Sequence, residues 1–235
     1  MKKILVIVII LLSIFIIYMT TLDKKVYYLV LGDEIALGLT SDNKYEKNYT
    51  EYIKEYLEEK NILEKYINEY TTQNYRITDI INDINNNKEI EDTKQTLKNA
   101  LIKADLVTLS IGTNDIISKI EDINKMNKMD YNKFKKNLET IKTDYEKLLK
   151  QLREYCKEDI IIIGIYINTN NENINNMLIN INEEFKTISN KYNIEYIDLY
   201  EILTSKEYVY PAKEDHIIIK ENIIGIINNN LLKKQ

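Results

Sequence analysis

Tryptophan is absent, and the 235 residues hold one cysteine, one histidine, one proline and five glycines. Each scarcity excludes something. A lone Cys156 excludes an intramolecular disulfide. Its place in the helical pattern LLKQLREYCKE, with no basic cluster or histidine beside it, reads as a packed thiol rather than a reactive one. One His and one Cys cannot supply the several nitrogen and sulfur ligands at short spacing that structural zinc uses, so no metal is expected. There is no glycine-rich phosphate loop, and no cofactor is expected. A basic excess is missing too. Lys and Arg number 32 against 37 Asp and Glu, a net charge of −5 with the two signs interspersed, so nucleic acid is not expected as a partner. Where punctuation is this sparse, its placement carries information. Gly32 and Gly112 each end an apolar run, and Pro211 lies shortly before His216.

What is present begins with Met1-Lys2-Lys3 and the almost unbroken apolar run Ile4 to Leu22. As a helix it would span roughly 28 Å, the thickness of a bilayer core. No small-x-small cleavage site follows, so residues 1–25 are expected to be a signal anchor or transmembrane helix, with residues 26–235 as one domain behind it. That domain is expected on the extracytoplasmic side of a bacterial membrane, or secreted if the segment is cleaved. Lysines flank both ends of the run, so charge asymmetry does little to orient it.

From Val26 onward, strand-like and helix-like patterns alternate. Val26 to Leu31, Tyr66 to Thr72, Asp105 to Ile111, Asp159 to Ile167 and Ile194 to Leu199 read as strands. Between and after them, helical spacing runs through 45–60, 77–84, 93–103, 130–157, 174–192 and 217–232. DIIIIGIYI is apolar on both alternating faces, as a strand covered on both sides must be. This alternation predicts right-handed crossovers and an α/β fold, a flavodoxin-like three-layer α/β/α sandwich around a five-stranded parallel sheet. No repeat or Pro/Gly-rich linker divides it.

In such a sheet the strand ends that carry polar residues share one edge, where ligands bind. Three features meet there: Gly32-Asp33-Glu34, Gly112-Thr113-Asn114-Asp115 and Asp215-His216. Together they resemble the SGNH/GDSL hydrolase (esterase/lipase) family over nearly all of 26–232. LGDEIALG is similar to the family's first block, SIGTND to the third and EDHIIIKENIIGI to the fifth. The resemblance implies a serine that attacks an acyl carbonyl while a histidine takes its proton and a carboxylate orients that histidine. The oxyanion would be held by backbone N–H groups and the third-block asparagine. On this chain the catalytic set would be Glu34 at the nucleophile position, His216, and Asp215 or Glu214 as the acid. The oxyanion and substrate-binding set would be Asn114, Asn74, Gly112 and Asp33.

The chain also departs from the pattern. Glu34 replaces the serine, Asn74 stands where the second block has glycine, and Lys213 occupies the usual position of the acid, three residues before His216. A carboxylate at position 34 would set negative charge against the oxyanion donors, and is expected to pair with His216 and hold it protonated. The reading is a hydrolase-family protein, related to enzymes acting on acyl, lipid or cell-wall glycan esters, whose serine chemistry is lost or reduced. Its partner would be a small-molecule or cell-envelope ester. One alternative is an active hydrolase using Glu34 as base or nucleophile with His216. Another is a non-catalytic flavodoxin-like ligand-binding module.

Overall fold

The computed structural model describes residues 25–91, 93–124, 131–167, 172–203 and 210–230. The expected anchor Ile4–Leu22 lies outside them. Among the described residues no helix is long and apolar enough to cross a membrane.

The elements follow the alternation of the sequence. Strand β1 (Val26–Gly32) leads through the short α1 (Glu34–Leu37) to α2 (Tyr49–Glu59), then β2 (Leu63–Thr71) and α3 (Ile77–Asn86). A two-stranded hairpin, β3 (Glu89–Ile90) with β4 (Gln95–Thr96), precedes α4 (Leu97–Lys103), β5 (Leu106–Ser110) and α5 (Thr113–Asn124). The long α6 (Tyr131–Tyr155), β6 (Asp159–Ile163), α7 (Glu172–Lys191), β7 (Glu195–Ile197), α8 (Leu199–Ile202) and α9 (Lys213–Asn230) complete the chain. The sheet has five strands in the order β2-β1-β5-β6-β7, and every pairing is parallel. This is the flavodoxin-like layout the alternation implies.

β1 is buried along its whole length because both faces of the sheet are covered. Tyr27, Leu29 and Leu31 face a core completed by α3, α4, α6 and α7. Val26, Tyr28 and Val30 face the opposite core, against α2 and α9. Strand alternation thus feeds two separate apolar layers from one segment. At its carboxyl end Gly32 pairs with Ser110 of β5 and has φ +143°. A Cβ there would sit 2.4 Å from the Ser110 carbonyl oxygen, so only glycine lets the strands stay paired up to the turn.

Several boundaries differ from the expectation, each for a visible reason. The second strand begins three residues earlier, at Leu63, where it pairs with Val26. The apolar run 159–167 leaves the sheet after Ile163. Beyond Gly164, Ile165 is held through both backbone groups by the Asn182 side chain, and Tyr200 bonds both backbone groups of Ile167. The expected helix 93–103 starts only at Leu97, where Thr96 caps it, because the preceding residues form the hairpin. The segment after Gly112, to which the helical spacing assigns no element, forms α5. The last helix starts at Lys213, which places His216 inside its first turn.

Candidate functional site

The carboxyl edge of the sheet brings the three sequence features to β1, β5 and the start of α9. Asp33 follows β1 as the N-cap of α1. Its Oδ1 accepts the Ile35 backbone N–H at 3.2 Å and the Ser110 hydroxyl at 3.0 Å, while its Oδ2 has no partner. Full burial, followed by the neighbouring Glu34 charge, pushes the Asp33 carboxyl up to about 8. Asp33 therefore serves as a neutral, buried cap that fixes the turn presenting Glu34.

Glu34, at the first position of α1, is 4% exposed. Its Oε1 accepts the Asn74 backbone N–H at 2.5 Å, and its Oε2 accepts the Asn114 side-chain amide at 2.7 Å. The same Asn114 amide donates to the Tyr75 carbonyl at 3.0 Å. Asn74 adopts φ +58°, a left-handed conformation that asparagine tolerates better than most residues, and this turns its N–H toward Glu34. Asparagine therefore supplies the backbone geometry for which the second block uses glycine. Tyr75 anchors this loop at its other end, its hydroxyl bonded to Asp83 and Lys88. Asp115 accepts the Ile77 N–H at 3.1 Å, and burial lifts its carboxyl to about 6.

His216 does not join this cluster. Its ring is fully buried and stacks on Tyr49 at 6.2 Å between centroids and 12° between planes. Neither ring nitrogen has a hydrogen-bond partner. Burial lowers its pKa to about 4, so the imidazole is neutral at pH 7. The expected Glu34–His216 pair is absent from this structure, and burial of the ring works against the expected protonated imidazole. The reason is that Glu34 is already satisfied by two N–H donors, and the histidine packs against an aromatic face. Neither candidate acid orients the ring. Asp215 accepts the Ala212 N–H at 2.8 Å, closing the turn into α9, and Glu214 is exposed. Lys213 points to Glu46 in a 2.6 Å ion pair. Gly112, at φ +107°, makes the β5–α5 turn, where a Cβ would come 3.1 Å from Ile165.

Sequence reasoning gave no role to Ser110 or Tyr210, and placed Tyr49 only among the tyrosines of the first helix, which would pack or line a groove. Tyr49 and Ser110 form the buried floor under His216 and Asp33. Tyr210, just before Pro211, feels the Glu34 and Asp33 charges. Burial first, then those charges, push its phenol up to about 12. Its neighbour Pro211 was the available signal. One set of three acidic side chains with oxygens within 4.8 Å occurs among the described residues, Glu183, Asp198 and Glu201. It lies away from Glu34, two of the three are exposed, and Lys186 pairs with Glu201 at 2.8 Å.

Known proteins share this arrangement of strands and helices. A lipase from a goat rumen metagenome is 18% identical, with a TM-score of 0.68 over 84% of this chain and 95% of its own. An acetylxylan esterase from Geobacillus stearothermophilus is 16% identical, with a TM-score of 0.61 over 86% of this chain and 94% of its own. A lipase/acylhydrolase from Enterococcus faecalis is 14% identical, with a TM-score of 0.57 over 88% and 96%. At these identities the likeness speaks for the fold. No curated protein matches the sequence. The sequence profile of the GDSL-like lipase/acylhydrolase family matches residues 30–216, from the strand that ends at Gly32 to His216 itself, and on that match the chain belongs to this family.

Proposed function

We propose that this family member does not hydrolyse esters by the serine mechanism and instead keeps the fold as a ligand-binding module at the cell envelope. One observation carries the reading: the Glu34 carboxylate accepts the Asn74 N–H and the Asn114 amide, the two donors that an ester's developing oxyanion would need. Oxyanion donors accelerate acyl transfer only when they are free to meet the charge that develops in the transition state. Here a fixed negative group occupies them in the ground state. The missing hydrogen-bond partner at both His216 ring nitrogens supports the same reading, because a base must reach the group whose proton it takes. The ligand class that follows from the family is a small-molecule ester, and we place acyl, lipid or cell-wall glycan esters within it. The apolar run Ile4–Leu22 would hold the domain to the membrane from the outer side.

The test is an esterase assay of the full chain on p-nitrophenyl acetate, beside Glu34→Gln, Glu34→Ser and Glu34→Ser with Lys213→Asp. The expected result is no turnover above buffer for the native protein or Glu34→Gln. The double variant, which restores a hydroxyl and an acid three residues before His216, should gain at least about tenfold over native. Clear native turnover abolished by Glu34→Gln would overturn the reading and make Glu34 a base or nucleophile.

A further inference from the structure

Beside the Glu34 clamp, three helices frame a crevice of about 230 Å³. Arg76 enters it from the start of α3, Asp115 and Lys119 from α5, and Asn137, Ile141 and Asp144 from α6. Arg76 and Asp115 lie one or two residues along from the backbone and side-chain donors of Glu34, so the crevice adjoins the site without being part of it. All of its lining residues except the buried Ile141 are polar or charged, and their aliphatic parts share the wall with Ile141.

The charges are the informative part. Lys119, Asn137 and Asp144 are each half-buried, yet their side chains have no hydrogen bond or ion pair to a described residue. Partly buried charges without partners are unusual, because desolvation is then uncompensated. Two cations and two carboxylates share one small space. A purely anionic ligand would face Asp115 and Asp144, and a purely cationic one would face Arg76 and Lys119. Arg76 and Asp115 already attract each other, but an uncharged polyol would leave Lys119 and Asp144 unanswered. A ligand carrying both signs a few bonds apart answers all of them. The volume is several times the roughly 30 Å³ share of one water in the liquid, enough for a molecule of amino-acid size.

We infer that this crevice binds a free α-amino acid as its zwitterion, with the carboxylate toward Arg76 and Lys119 and the ammonium toward Asp144 and the Asp115 carboxylate. The side chain of the ligand lies along Ile141 or out toward solvent. This inference does not depend on whether the neighbouring site hydrolyses esters.

Calorimetric titration of the full chain with glycine and L-alanine tests it, with acetate and methylammonium as the separated halves. Saturable binding of the amino acids with Kd tighter than about 1 mM is expected, and at least about tenfold weaker binding of either half. Lys119→Met and Asp144→Asn remove charge at nearly constant size. Each should weaken amino-acid binding about tenfold while the thermal midpoint of the ligand-free protein stays in place. No saturable heat with either amino acid would overturn the inference. So would acetate or methylammonium binding as tightly as glycine, or both variants binding like the native chain.

Discussion

His216 and Asp33 are buried a few residues from the same sheet edge, and they pull stability in opposite directions with pH. Burial drops the His216 pKa from its ordinary 6.5 to about 4. Between those values the unfolded chain binds a proton that the folded chain refuses, so stability falls as pH falls through this window. Asp33 is raised from 3.8 to about 8. There the folded chain holds the extra proton, and stability falls as pH rises from about 4 toward 8. Urea unfolding at a series of pH values separates them. His216→Leu should flatten the acid side, shrinking the loss between neutral and mildly acidic pH by on the order of 1–3 kcal/mol. Asp33→Asn keeps an acceptor for Ile35 and Ser110 but cannot ionise, so it should remove the fall in stability between about pH 4 and 8 and leave the protein more stable than native above neutral pH. Unchanged pH slopes in both variants would mean that neither group is buried as described. For catalysis the same numbers matter differently: a histidine that stays neutral but has no carboxylate partner has lost what orients it, not its ability to accept a proton.

At the scale of elements, the scarcity of glycine is made good by asparagine. Among the described residues, six other than glycine have positive φ, and five of them are asparagines: Asn43, Asn61, Asn74, Asn87 and Asn193. Asn87 closes α3, Asn193 turns α7 into β7, and Asn74 aims its N–H at Glu34. Asparagine reaches the left-handed region at lower cost than other residues with a Cβ. The exposed Asn193 gives a clean test, since its side chain makes no hydrogen bond to a described residue while its backbone carbonyl takes the Arg153 guanidinium at 2.6 Å. Asn193→Ala should cost about 1 kcal/mol, and Asn193→Gly should stay within roughly 0.5 kcal/mol of native. Equal losses for the two variants would show that the turn depends on the asparagine side chain and not on its dihedral. The short α1 follows a similar logic, with Asp33 capping its start and Gly38, at φ +87°, ending it after four residues. So brief a helix holds Glu34 at a sharp turn out of β1.

For the whole molecule, the sheet was legible in the sequence because β1, β5 and β6 are apolar runs, and the edge that carries the site was legible because Gly32 and Gly112 follow two of them. Glu34, Asn74 and Asn114 were also identifiable, since their positions follow from motif order along β1, β2 and β5. The partner of Glu34 was not. Whether a carboxylate meets a histidine or two N–H groups depends on side-chain direction, and His216 had turned one helical face toward Tyr49. The layout makes one further statement. Val26 starts β1 at the pole opposite Glu34, and α9 runs back to that pole from His216. The seven residues of β1 advance about 3.3 Å each, roughly 20 Å from entry to site. With Ile4–Leu22 as the anchor proposed above, the entry pole faces the bilayer and Glu34 faces away from it. On that proposal the ligand would arrive from the surrounding envelope and not from a membrane holding the protein. A fluorophore placed through Asn61→Cys at the entry pole should be quenched strongly by spin-labelled headgroups in vesicles carrying the full chain, and one placed through Gln73→Cys beside the site only weakly. The buried native Cys156 leaves these exposed thiols to be labelled selectively. Equal quenching at the two positions would lay the site against the membrane and make a bilayer lipid the better candidate ligand. Quenching at neither would remove the anchor.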